Sequence, residues 1–533
     1  MAAPVYRVFL PLATSTNGGV STGATTIKID PATRLEGHLE VTLQSDAGRV
    51  VSAQSGGMMY RGFENILVGR AALDGLVITP RICGICSTTH LMAAATALDK
   101  IAGVTVPDNA RRIRNLSQMV ENIQSDIRQS FLLFAPDLAN PFYQDQPWYS
   151  EAVRRYAPLR GQVAVETIRE TKKILEIIAI FGGQWPHSSF MVPGGVVSQP
   201  ASGALTQCLY LLKGYKRWYE ERVLGCTIER WNEIHSVRDM EKWFSTDHHD
   251  AGEVGFFLRI ARKLGWDKIG RGRENFLSVG SLDLPDETAV QSFVANNSQL
   301  IPSGFAVGTN VESFDQQNIS EHVAHSWFAG EDGGQHPFDG TTKPYATGQE
   351  DHRYTWAKAP RYRDLPAETG PLAEMIVGGN PLFLDLFREQ GASVLVRQLA
   401  RMTRPATLLP AMETWMNELL THKGAHYQEP QKIVDGEGVG LIQAARGALG
   451  HWVKIKDEKI THYQIITPTA WNGSPRDTTE TRGPWEEALI GAPVRDPENP
   501  LEVGHIVRSF DPCLVCTVHT FDRHPRQSYK FTF

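Results

Sequence analysis

The chain has 533 residues, 41% of them hydrophobic and 21% charged, with a formal net charge of −6. That length leaves room for a sizeable buried core, the mild acidity gives no electrostatic footing for nucleic acid, and no eighteen-residue apolar run is present to cross a membrane. Six cysteines are too few for a disulfide framework, and four of them fall in two C-x-x-C pairs.

Residues 1–25 are rich in Ser, Thr and Gly and read as a loose arm. The opening "MAAPVYRVFLPLATSTNGG" lacks a charged region ahead of its apolar patch and lacks a twin arginine, so a cytoplasmic location is expected, with membrane association only through a partner. Within 26–55, alternating runs flank a turn at Asp46–Gly48 and predict a hairpin. Between Pro107 and Pro136 the apolar residues Ile113, Leu116, Val120, Ile123, Ile127, Phe131 and Phe134 recur in steps of three and four, which predicts a long amphipathic helix. Residues 163–181 repeat the pattern and stop at Gly182–Gly183, a C-cap signal. Across 201–235 one stripe carries Leu205, Cys208, Leu212, Tyr215, Tyr219, Val223 and Cys226, which assigns both cysteines to core packing. His248–His249 reads as an exposed loop pair. The stretches 330–365 and 466–512 look irregular, and 371–425 looks largely helical. No repeat or low-complexity linker divides the chain, so 1–533 reads as one domain. The expected class is mainly α with small β elements (α+β), a long-helix bundle wrapped by loops and an N-terminal sheet.

The chemistry concentrates at the two ends. "RICGICSTTH" (81–90) holds Cys83 and Cys86 with His90 behind them, and "DPCLVCTVH" (511–519) holds Cys513 and Cys516 with His519 behind them. Four thiolates suffice for a tetrahedral zinc or iron site, and the spacing alone does not choose the metal. Structural zinc sites close short loops, whereas these pairs lie at opposite ends of the chain, which suits a functional centre. A redox dithiol accounts for one pair and not for two.

The flanks of both pairs resemble the large subunit of nickel–iron hydrogenases. The likeness continues through "TRLEGHLEV" (33–41), "YRGFE" (60–64), "GGQWPH" and "VPGGV" (182–196), "YTWAKAPRY" (354–362), "ARGALGHW" (445–452) and "YQIITPTAWNGSPRD" (463–477). This resemblance implies that Cys83, Cys86, Cys513 and Cys516 bind nickel. Cys86 and Cys516 would also bridge to an iron carrying two cyanides and one carbon monoxide. Dihydrogen would split there into a hydride and a proton, with Cys513 as the base and Glu36 as the proton-relay carboxylate. Arg446 would stand over the open metal site, fixed by Asp511 through paired hydrogen bonds. Glu64, the backbone carbonyl of Ile465, and His519 would hold magnesium. Arg81 and His90 would reach the cyanides or bridging sulfurs by hydrogen bonds. His38 and His187 sit in matching motifs and receive no ligand role.

Once these thiols are committed, Cys208 and Cys226 are too few for an iron–sulfur cluster of their own. The resemblance therefore implies an iron–sulfur small subunit, with heterodimers that pair again, and a quinone-linked acceptor beyond it. Nickel-insertion factors and a maturation protease are implied as well, the latter removing the 14 residues 520–533. Hydrogen-sensing relatives lack such a tail, so a catalytic uptake-type enzyme is favoured over a sensor; separately, the chain resembles the cytoplasmic uptake group that includes high-affinity hydrogen scavengers. Metal-free relatives in quinone-reducing complexes have lost the cysteines that are present here. A zinc-stapled scaffold would leave Glu36, Arg446 and Glu64 unexplained. One departure stands out: many relatives have Ala-Pro-Arg where this chain has Ala444–Ala445–Arg446, which bears on local rigidity.

Overall fold

The computed structural model describes residues 14–16, 24–246, 248–295, 297–330, 333–345 and 352–517. The alternation after Glu36 gives the predicted hairpin, Leu39–Asp46 against Arg49–Gly57. Its two-residue turn, Ala47 at φ 48° and Gly48 at φ 73°, has both residues left-handed, as the twist of paired strands favours. Thr25–Ile29 adds a third strand. Thr14–Thr16, expected to be loose, forms a fourth by pairing with Thr26–Lys28. The remainder of the arm, 1–13 and 17–23, lies outside the described residues.

Four long helices build the middle of the molecule: Asp108–Arg128, Gln162–Gly182, Ser202–Trp218 and Val394–Thr421. Each packs on two of the others, so the four close a bundle. The first and third continue through π-helical turns to Phe134 and Leu224. Gly183, at φ 80°, ends the second where the sequence placed its cap. The segment 371–425 is helical as expected, in three pieces.

Beyond the N-terminal sheet stand two three-stranded sheets whose strands were not predicted. Asn275–Asp283 pairs with Gln299–Val307, whose other edge takes Asn310–Glu312. Gly436–Ala444, Gly447–Lys456 and Lys459–Ile466 form a meander whose first strand lies directly on the helix Ser87–Ile101. That approach needs Gly440, where a Cβ would stand 1.9 Å from the Ala93 carbonyl oxygen. The region 466–512 is more ordered than its composition suggests, with helices at Pro468–Asn472, Pro484–Leu489 and Leu501–Ser509.

Candidate metal centre

The cysteine-bearing ends of the chain meet. Cys83 and Cys86 stand at the head of the helix Ser87–Ile101, with Cys86 as its N-cap residue. Cys513 and Cys516 belong to the C-terminal turn that winds into Leu514–Thr517. All four sulfurs lie within 4.8 Å of one another. Cys83 and Cys513 are 3.6 Å apart, Cys86 and Cys516 3.2 Å, and Cys513 and Cys516 3.1 Å. All four are buried free thiols.

The C-terminal turn is seated on "RLEGH". The Leu514 N–H donates to the Glu36 carbonyl at 2.6 Å, and the Glu36 N–H to the Pro512 carbonyl at 3.4 Å. Gly37 adopts φ 90°, and a Cβ there would come within 2.8 Å of the Val515 nitrogen, so both backbone and space demand glycine. The Cys513 N–H donates to the Thr469 hydroxyl at 3.0 Å. At the other pair, the Cys86 side chain makes no cap bond to the helix it begins. Glu121, from the helix Asp108–Arg128, supplies the cap instead. Its carboxylate accepts the N–H groups of Thr88 and Thr89 at 2.8 Å each, the Thr89 hydroxyl at 2.7 Å and the Trp185 indole at 3.2 Å.

The electrostatics of the thiols call for a cation. Hydrogen bonding from Cys513, then Cys516 and Cys86, holds Cys83 well below the ordinary thiol range. Hydrogen bonding with Cys513 pushes Cys86 up, and burial pushes Cys516 up. Ionising one sulfur thus opposes ionising its neighbours, which a bound metal ion relieves. A soft, fully sulfur donor set suits a thiophilic transition metal, with zinc, iron and nickel all admissible on the donors alone.

Arg446 occupies the tip of the two-residue turn between Ala444 and Gly447, and it lines a small cavity with Cys86, His90, Leu449, Cys513 and Cys516. Burial works against its charge, but Asp511 and the sulfurs of Cys513, Cys86 and Cys83 keep it protonated. Its Nε lies 3.2 Å from Asp511 Oδ1, yet neither Nε nor Nη1 makes a hydrogen bond. The paired bonds expected from Asp511 are therefore replaced by one ion pair, because Oδ2 turns to Arg401 Nη1 at 3.4 Å. Glu36 is raised by burial and by Cys83, and lowered by Arg446 and Arg61. His90 is buried and pushed down to about 4, chiefly by burial, with Nδ1 3.1 Å from His451 Nε2. His451 Nδ1 in turn meets the Tyr463 hydroxyl at 2.9 Å.

Arg81 does not join this group. It is exposed, and its guanidinium is bonded to the Val77 carbonyl one helical turn back. Arg61, from the quoted "YRGFE", reaches in instead and donates to the carbonyls of Ile82 and Val515, tying both cysteine segments together. Glu64 is buried and accepts the Ile465 N–H at 2.9 Å and the Thr342 hydroxyl. Thr342 also accepts from the Lys358 ammonium at 2.9 Å, and Gln464 donates to Glu321 at 2.7 Å, so the neighbourhood of Glu64 combines a hydroxyl and a second carboxylate with a lysine cation. Burial raises Glu321 to about 7 against the pull of Lys358. His519 lies outside the described residues, as does the tail 520–533. Cys208 is buried, Cys226 accepts the Trp243 indole N–H at 3.3 Å, and neither approaches the cluster. His249 is buried and stacked on Trp243, which corrects the exposed reading for that residue.

A family described as nickel-dependent hydrogenase matches residues 61–144 and 163–519, and one described as HoxL-like matches 26–55. The chain is 34% identical to the periplasmic [NiFeSe] hydrogenase large subunit of Desulfomicrobium baculatum, over 93% of this chain and 95% of that protein. It is 30% identical to the uptake hydrogenase large subunit of Bradyrhizobium diazoefficiens, over 92% and 95%. The solved Ni-Fe-Se hydrogenase from D. vulgaris Hildenborough in the reduced state is 33% identical, with a TM-score of 0.78 over 93% of this chain and 100% of that one.

Proposed function

Because this chain belongs to the nickel-dependent hydrogenase family as a large subunit, we propose that it oxidises dihydrogen to protons and electrons at a nickel–iron pair held by Cys83, Cys86, Cys513 and Cys516. The observation that carries this reading is the convergence, within 4.8 Å, of sulfurs from the two ends of the chain. When bound, the metals would supply the Lewis-acid and electron-accepting chemistry for uneven cleavage of dihydrogen; the four cysteines would hold nickel, and Cys86 and Cys516 would also hold an iron carrying two cyanides and one carbon monoxide.

The chain's own residues handle the proton and the field. Cys513 Sγ takes the proton, and the Glu36 carboxyl, on the segment paired to Cys513, passes it outward. Its raised affinity brings proton exchange closer to neutrality. Arg446 keeps its charge and offers N–H groups that are not spent on other partners, a preorganised donor in a dry cavity. His90, held neutral, borders the same cavity.

Electrons leave through an iron–sulfur small subunit, since Cys208 and Cys226 offer no cluster site. Glu64, the backbone carbonyl of Ile465 and His519 would hold magnesium. The observed donation at Ile465 is from its N–H to Glu64, which leaves the carbonyl for the ion. Removal of 520–533 after nickel insertion and pairing of heterodimers complete the proposal. Elemental analysis for nickel, infrared spectroscopy for cyanide and carbon monoxide, and hydrogen uptake with an artificial acceptor test it together. Purified complex without nickel and without those bands sinks it.

A further inference from the structure

We propose that Arg404 is a positioning residue for Arg446, closing a ring of buried contacts that fixes where the Arg446 guanidinium stands; this rests on the proposed dihydrogen oxidation. From Arg446 the ring runs through Asp511 at 3.2 Å to Arg401 at 3.4 Å, and from Arg401 to Asp126 at 3.7 Å. Asp126 accepts two bonds from Arg404, from Nε and Nη2, at 2.8 Å each. Arg404 Nη2 then donates to the backbone carbonyl of Ala445 at 2.8 Å, and Ala445 is the residue directly before Arg446. The circuit thus returns to where it began. A spur from Arg404 Nη1 to Glu374 at 2.7 Å anchors it.

Two features make this ring the determinant of the Arg446 position. Arg446 Nε and Nη1 form no hydrogen bonds, so the side chain is not pinned by contacts of its own beyond the Asp511 ion pair. The turn that carries it, Ala445–Arg446, has no proline to stiffen it. What remains is the backbone clamp at the Ala445 carbonyl and the orientation of Asp511, and both are ends of the same ring. The guanidinium fork at 404 spends four N–H groups on three partners in one plane, a geometry that lysine does not reproduce.

The test is a double-mutant cycle. Arg404→Met is combined with Glu374→Gln, so that no carboxylate is stranded and Asp126 keeps Arg401, and the pair is introduced with and without Arg446→Lys. Turnover per bound nickel is expected to fall about tenfold or more in the parent, with KM unchanged, and only about twofold in the Arg446→Lys background. Cyanide and carbon monoxide bands of the loaded enzyme shift in the parent background only. Equal loss in both backgrounds, or full turnover per nickel with unchanged bands, overturns the proposal, because a residue that only stabilises the fold lowers nickel occupancy without altering loaded molecules. Should the pair fail to fold, Arg404→Lys replaces it in the same cycle. Should the parent itself carry no nickel, the functional reading fails alone. The cycle is then read on melting temperature of the metal-free chain, where additive losses overturn the ring and smaller-than-additive losses support it.

Discussion

Glu121→Gln separates the shape of the cap beneath Cys86 from its charge. The carboxylate accepts four buried donors, two at each oxygen: Thr89 N–H and hydroxyl at Oε1, Thr88 N–H and Trp185 indole at Oε2. Glutamine keeps one acceptor oxygen and turns an amide N–H₂ toward the other pair of donors. Losing two hydrogen bonds to a charged acceptor costs about 4 kcal/mol, and each stranded donor adds to that. Relief of the buried charge works the other way, since burial already raises Glu121. The balance is about 3 kcal/mol against the head of the helix, or about two orders of magnitude in its opening constant. Hydrogen exchange followed by mass spectrometry reads this directly: peptides covering Ser87–Ile101 exchange about 100-fold faster, and the Asn275–Asp283 sheet does not change. Nickel occupancy falls with it, because Cys86 is the residue from which that helix starts. Unaltered exchange over Ser87–Ile101 refutes the argument that the cap is supplied by Glu121.

Replacing Glu36 with Gln leaves nickel content intact and lowers hydrogen oxidation by about a hundredfold or more, with Asp partly restoring it; wild-type turnover in the Gln form removes Glu36 from the proton route. Glu486 is raised to about 7 by burial, so its neutral form contributes stability that is complete below about pH 4 and disappears as pH rises through about 7. Glu486→Gln, uncharged throughout, flattens that fall by up to about 3 kcal/mol in denaturant titrations between pH 5 and 8; an unchanged pH profile contradicts the assignment. Gly440→Ala drives a methyl into the Ala93 carbonyl, and a melting-temperature loss of several degrees is expected, with activity per nickel retained if the helix merely shifts.

The four thiols were legible because two C-x-x-C pairs announce metal chemistry, whereas Glu36, Arg446 and Asp511 were singled out only through the resemblance of the motifs that carry them. The long helices were legible from the period of Ile113 to Phe134, and the hairpin from Asp46–Gly48. What escaped depends on contacts between distant segments. Nothing about Glu121, Arg401, Arg404 or Asp126 marks them apart from ordinary helix-surface charges until the helices pack. Arg81 and Arg61 illustrate the limit: adjacency to Cys83 favoured the first, but helical rotation turns it outward, whereas the second arrives through Gly62, at φ 66°, and bonds both cysteine segments. The meander at 436–466 was missed since glycines stand at Gly438, Gly440 and Gly450 where strand-forming side chains usually do. They are there to admit a helix and a Trp452 ring.

Cys83 and Cys513 are 430 positions apart, and a metal bound to both turns an open polypeptide into a closed loop. By the chain-entropy scaling for cross-links, tying a loop of that length removes about 6 kcal/mol of freedom from the unstructured ensemble. Without metal, the described strip 511–517 is kept down by the Gly37 seat, the Thr469 bond, the Arg61 straddle and the Asp511 ion pairs. Peeling of that strip is thus easier before loading than after it. Proteases that attack that strip would distinguish filled from empty molecules, which makes the cofactor its own fastener.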